Sequence, residues 1–75
     1  MQTSYYVKAI WDPDARVWIS ETDIPGLVIE SDTLAEFEAL MMRLAPEMLA
    51  ENEGLHDSSV VLDFQVSDRR ELLVA

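Results

Sequence analysis

The stretch Asp23-Ile24-Pro25-Gly26-Leu27-Val28-Ile29-Glu30-Ser31-Asp32-Thr33-Leu34-Ala35-Glu36 carries three structural instructions in immediate succession. Pro25-Gly26 specifies a turn, because proline presets φ at one turn position and glycine tolerates the left-handed geometry of the next. Leu27-Val28-Ile29 has the branched, apolar character of a short buried strand, which we read over Leu27 to Glu30. Thr33-Leu34-Ala35-Glu36 matches a capping box, in which the Thr hydroxyl and the Glu carboxylate satisfy orphan amides at a helix start. Turn, strand and capped helix therefore follow one another with no slack, and the rest of the chain is read outward from them.

Upstream, residues 4–12 alternate with period two. Tyr5, Val7, Ala9 and Trp11 fall on one face, and Tyr6, Lys8, Ile10 and Asp12 on the other. Asp12-Pro13-Asp14-Ala15 breaks the run, since proline donates nothing to a ladder and Asp favours turns. Residues 16–22 return as a second strand, with Val17, Ile19 and Glu21 opposite in sense to Trp18, Ser20 and Thr22. The two strands form a hairpin, and the short links to the third favour an antiparallel meander.

Downstream the period becomes helical. Leu34, Phe37, Met41, Leu44 and Met48 make one apolar stripe, widened by Leu40 and Leu49, which belongs on one face of the sheet. Pro46 removes an amide donor and disfavours helical geometry at Ala45, yet the stripe continues in phase, so a kinked helix is expected rather than two helices. Gly54 suits a left-handed C-terminal cap. Residues 59–67 alternate again, with Val60, Leu62, Phe64 and Val66 facing the helix and Val61, Asp63 and Gln65 facing away. The apolar segment Glu71-Leu72-Leu73-Val74-Ala75 is read as a fifth strand or as the far end of a bent fourth. The expected fold is α+β: a single β-β-β-α-β domain over residues 1–75, with one antiparallel-type sheet and one kinked helix on one of its faces.

Bulk properties narrow the function. A 75-residue chain buries only about 60% of its unfolded surface and is marginal alone. With no cysteine and no cluster of metal-ligating residues, it lacks the usual staples of small domains, so a homo-oligomer, dimer or larger, is expected. No apolar run reaches the length of a membrane span and the N-terminus has no signal-peptide pattern, so the expected location is cytoplasmic. Fifteen Asp and Glu against five Lys and Arg give a formal charge of −10, which disfavours direct contact with nucleic acid and favours a basic protein partner.

Catalysis finds little support. His56 is the only histidine, and His56-Asp57-Ser58 are neighbours in a polar loop, whereas triad members converge from separate elements. A calcium loop starting at Asp12 fails where Arg16 and Val17 stand at positions needing an oxygen ligand and a glycine. Asp12, Glu21 and Asp63 are the carboxylates from which a two-metal nuclease would have to be built, but their spacing does not demand it. We therefore expect no enzyme, no metal and no cofactor. Trp11, Asp12, Asp14 and Trp18 of the hairpin, with Asp23 and Glu30, are the candidate partner contacts: carboxylates to pair with Lys or Arg, and a Trp to anchor.

Trp11-Asp12, Ala15-Arg16-Val17-Trp18-Ile19, Asp23-Ile24-Pro25-Gly26-Leu27-Val28, Asp32-Thr33-Leu34 with Glu36, and Ala45-Pro46-Glu47-Met48-Leu49 together resemble the HicB-like antitoxins, in particular their short single-domain branch, DUF1902. The resemblance implies a partial ribonuclease H-like fold. It also implies a role in a toxin–antitoxin pair: binding a small basic HicA-like toxin, an RNA-cleaving protein, and covering its catalytic histidine. Longer members carry a C-terminal DNA-binding domain, for which residues 1–75 leave no room, so no separate DNA-binding domain is expected here, which leaves partner binding or an orphan role. The alternative is a homo-oligomeric structural or orphan protein without a toxin, motivated by the apolar Leu72-Leu73-Val74.

Overall fold

The computed structural model describes residues 2–75. Its elements are β1 (Ser4–Asp12), β2 (Val17–Thr22), β3 (Glu30–Ser31), α1 (Leu34–Glu53) and β4 (Val61–Ser67), with the strands ordered β3-β2-β1-β4 in one sheet. The β1–β2 hairpin pairs Ile10 with Ile19, Trp11 with Trp18 and Asp12 with Val17. Its loop is closed by Asp12, whose Oδ1 accepts from the amides of Asp14 and Ala15 at 3.0 and 3.3 Å. The Arg16 amide donates to Asp12 O at 2.8 Å, and Arg16 takes the left-handed conformation, φ 59°, that this loop requires.

The organising stretch folds as three local events. Leu27 N donates to Ile24 O at 3.3 Å with Gly26 at φ 81°, a type II turn with Pro25 and Gly26 at its two central positions. Thr33 caps α1, its hydroxyl accepting from Glu36 N at 3.1 Å, so the threonine half of the capping box is formed. The third strand is shorter and later than the expected Leu27 to Glu30: only Glu30 and Ser31 join the ladder. Ahead of them the Ser20 hydroxyl accepts the Ile29 amide at 2.9 Å, while Ser20 N donates to Ile29 O at 3.1 Å. A side chain thus replaces one rung, leaving Leu27 and Ile29 buried and Val28 turned to solvent.

The sheet is mixed rather than wholly antiparallel. β2 and β3 are antiparallel to their neighbours, but β4 runs parallel to β1, from Ser4 opposite Val61 to Ile10 opposite Ser67. The cause is the connection: a helix of 20 residues returns the chain from the end of β3, so the next strand must run as β3 does, and β3 already runs as β1 does. Residues 68–75 lie outside every strand; no fifth strand forms, and Leu72, Leu73 and Val74 are exposed.

α1 runs unbroken through Pro46. Pro46 and Met42, whose carbonyl its missing amide would have served, both lie on the exposed side, so water can take the place of the lost bond. The deepest row of α1 is Phe37, Met41, Ala45 and Leu49, with Leu34, Leu40, Leu44 and Met48 flanking it half-buried. This row is rotated slightly from the stripe read in the sequence, where Leu44 and Met48 stood at the centre. It packs on Tyr5, Val7 and Ala9 of β1 and on Ile24, Leu27 and Ile29 of the β2–β3 connection. The Phe37 ring stacks on Phe64 at 6.0 Å, fastening β4 to the same core. Burial pushes the Tyr5 phenol above its ordinary pKa, helped by the carboxylates of Glu53 and Asp23. Among the described residues no helix is long and apolar enough to cross a membrane.

The last turn of α1 is tied to the organising stretch, Asn52 Nδ2 donating to Pro25 O at 2.9 Å. A Cβ on Gly26 would stand 2.8 Å from that same nitrogen, whereas one on Gly54, the left-handed cap at φ 64°, would meet nothing within 4 Å. Gly54→Ala should therefore cost about 1 kcal/mol of backbone strain, and Gly26→Ala about 2 kcal/mol because the Asn52 bond is lost as well. Urea denaturation of both variants measures the difference, and equal losses would show that the turn–helix tie contributes nothing.

Candidate protein-binding face

Among the described residues a single helix covers one side of the sheet, so alternation along the strands decides which side chains stand on the other. The side beneath α1 carries Tyr5, Val7, Ala9 and Trp11 of β1, Trp18, Ser20 and Thr22 of β2, and Leu62 and Phe64 of β4. The other side carries Tyr6, Lys8, Ile10 and Asp12, then Val17, Ile19 and Glu21, then Glu30, then Val61, Asp63 and Gln65. No helix or strand among the described residues covers that second side.

Its chemistry is organised. Ile10 lies opposite Ile19 at the centre, with Tyr6 and Val17 half-buried on either side of them and Val61 exposed toward the β4 edge. Four carboxylates surround these apolar groups: Asp12 beside Val17, Glu30 beside Ile19, Asp63 beside Tyr6, and Glu21 beside Lys8. Lys8 is the one cation the strands place on this face, and it is already paired with Glu21 at 3.6 Å. An apolar centre ringed by acids is what a protein interface with a basic partner requires, with desolvation at the middle and charge steering at the rim.

The six residues singled out from the sequence do not form one site. Trp11 and Trp18 are cross-strand partners with ring centroids 5.3 Å apart, on the helix side at the hairpin end, where Trp18 packs against the core. Both are half-buried. Asp14 is exposed at the hairpin tip, beyond the sheet face. Asp23 serves the fold instead. Its Oδ1 accepts the Tyr6 amide at 2.9 Å and its Oδ2 accepts from Gln2 Nε2 at 2.9 Å, continuing the β1–β2 ladder past the end of β2. The neighbouring Thr22 hydroxyl adds to that ladder by donating to Tyr6 O at 2.6 Å. Only Asp12 and Glu30 belong to the open face, and Asp12 also closes the hairpin loop. The open face also carries Tyr6, Ile10, Val17, Ile19, Glu21 and Asp63, which are not among those six. Their signal was the period-two alternation, which already assigned the members of each strand to a single side.

Asp12, Glu21 and Asp63 share a face but stay apart: Asp63 is level with Tyr6, and Asp12 is six residues further along β1, roughly 20 Å away at strand rise. Among the described residues no group of three or more His, Cys, Asp or Glu converges to hold a metal ion. His56 is exposed, and Ser58 Oγ donates to the His56 carbonyl at 2.9 Å rather than to its ring.

A family model described as a domain of unknown function, DUF1902, matches residues 4–75. The chain belongs to the DUF1902 family. A crystal structure of hypothetical protein TTHA1013 from the extremely thermophilic bacterium Thermus thermophilus is similar to it at 33% sequence identity, with 95% of this chain and 99% of that chain covered and a TM-score of 0.69. No curated protein matches the chain. The DUF1902 match spans the hairpin, the organising stretch, the helix and β4, so the open face is built entirely from residues within the family domain.

The division of labour among the acids has a direct check. Asp23→Ala, which strands the Tyr6 amide, should lower stability by about 1–2 kcal/mol, while Asp14→Ala should stay within about 0.5 kcal/mol of the parent. Thermal or urea unfolding followed by circular dichroism reads both, and a neutral Asp23→Ala would return Asp23 to the pool of free surface charges.

Proposed function

We propose that this DUF1902 chain is an antitoxin-like binding module that neutralises a small basic RNA-cleaving toxin in the cytoplasm by occluding its active site. The observation that carries the reading is the uncovered sheet face, with Ile10 and Ile19 at its centre and Asp12, Glu21, Glu30 and Asp63 around it. A ribonuclease must present Lys and Arg to the phosphates of its substrate. Carboxylates at the rim of this face would occupy those cations as the RNA backbone does, while Tyr6, Ile10, Val17 and Ile19 exclude water from the middle. The formal charge of −10 strengthens long-range attraction to such a partner and opposes binding of RNA itself. The resemblance to HicB-like antitoxins supplies the class of partner, a HicA-like toxin. On this reading the chain turns nothing over; inhibition is steric and electrostatic.

The test is co-expression with the product of the adjacent open reading frame, expected to be short and lysine-rich, followed by RNA-cleavage assays and calorimetric titration in rising salt. The expected outcome is a complex that silences cleavage and weakens about tenfold or more between low and high salt. Ile19→Arg, and separately Glu30→Lys with Asp63→Lys, should each weaken it at least about tenfold without unfolding the chain, because these side chains are exposed or only partly covered. Absence of a complex, indifference to salt, or full affinity in both variants would each overturn the proposal.

A further inference from the structure

Two features of the molecule remain unused by the open face, and they complement each other. The first is the segment after β4. Leu72, Leu73 and Val74 are 81, 100 and 87% exposed, three consecutive apolar residues touching almost nothing of their own chain. The segment projects outward: the chain measures 54 × 19 × 17 Å with a radius of gyration of 14.4 Å, against about 11 Å for a compact chain of this length. Arg70 Nε contacts Asp68 Oδ2 at 2.7 Å, an i, i+2 pairing that suits an extended run, where alternate side chains share a side.

The second is a groove of about 350 Å³ between the exposed flank of α1 and the start of β4, lined by Met41, Met42, Pro46, Leu55, Val60 and Leu62. Methionines give it adaptable walls, and Asp57 stands at its rim. It adjoins β4, which is an edge strand of the sheet. Groove and projecting segment lie at opposite ends of β4: the groove meets Val60 and Leu62, and the segment departs after Ser67, beside Ile10. A chain can fill its own groove only by reversing direction after Ser67, and in this structure Leu72 to Val74 stand exposed rather than folded back.

We infer that the occupant of the groove is residues 71–75 of a second copy of this chain, exchanged reciprocally across a two-fold axis. Each copy contributes one apolar arm and one apolar groove, so the contact is isologous and closes at two chains. The arm ends in the groove, with Leu73 against one wall and Leu72 and Val74 against the other, as the alternation of an extended run requires. Arg69 at the root of the arm supplies positive charge toward the Asp57 rim while Arg70 stays paired with Asp68, offsetting part of the repulsion between two acidic chains. Because the open face of the sheet is a different surface, this exchange neither depends on the antitoxin reading nor competes with it.

The chain contains no cysteine, which allows a direct test on the full chain. Sedimentation equilibrium should give a mass near twice 8.5 kDa for the parent. Leu73→Glu and Met42→Lys, both at exposed positions and therefore harmless to the monomer fold, should each raise the dimer dissociation constant by about 30-fold with unchanged circular dichroism. Leu73→Cys mixed with Met42→Cys should give an interchain disulfide on oxidation, whereas Leu73→Cys and Met42→Cys combined in one chain at low concentration should not close on itself. A monomeric parent at high concentration, a dimer indifferent to both single substitutions, or rapid intrachain closure of the double variant would overturn the exchange. The last outcome would instead place the arm in its own groove.

Discussion

Everything in this molecule depends on one helix seated against one strand. The row Phe37, Met41, Ala45 and Leu49 meets Tyr5, Val7 and Ala9 of β1, with Ile24, Leu27 and Ile29 closing the side, and these ten are all of the buried apolar side chains among the described residues. β1 is the strand on which this packing centres because it is the long one, with β2 paired on one edge and β4 on the other. Among the described residues α1 is the one helix, and it lies on one side of the sheet, so the other side is left uncovered by them. Incomplete coverage is thus built into the architecture, and the functional readings above are consequences of it.

The second dependence is local chemistry that spares the core from polar cost. Ser20, Thr22, Asp23 and Thr33 each use a side-chain oxygen to satisfy a backbone amide, and Asn52 uses its amide to hold the Pro25 carbonyl. These bonds cluster where β2 ends, where the short β3 begins and where α1 starts and stops. They let the chain change direction within the organising stretch without leaving buried amides unpaired. The turn is therefore more than a link: through Asn52 it fixes the far end of the helix relative to the sheet.

Much of this was legible in the sequence wherever the signal was local. The type II turn at Pro25-Gly26, the Thr33 and Gly54 caps and the alternation of β1, β2 and β4 rest on residues adjacent in the chain, and all appear where the sequence places them. Features set by distant partners were not legible. The Ser20 hydroxyl shortens β3 from another strand, and Leu72 to Val74, apolar enough for a strand, find no neighbour in this chain to pair with. The parallel direction of β4 was recoverable, since a long helical crossover enforces it; the short links among the first three strands drew the reading toward an antiparallel sheet. At the candidate face, large aromatic rings attracted the assignment, yet Trp11 and Trp18 point to the helix side while the smaller Ile10 and Ile19 hold the exposed centre. Residue type singles out the rings, whereas shared parity along the strands decides which side chains stand on one face.

The most direct measurement of the seating of α1 on β1 is residue-resolved amide hydrogen exchange on the free protein. The slowest amides are expected in β1 from Tyr5 to Ile10 and in α1 from Phe37 to Leu49 up to and beyond Pro46, exchanging only on global unfolding, with β3 faster and β4 intermediate. Rapid exchange throughout the second half of α1, or protection of β4 exceeding that of β1, would contradict it, because the helix would then not be what holds the sheet.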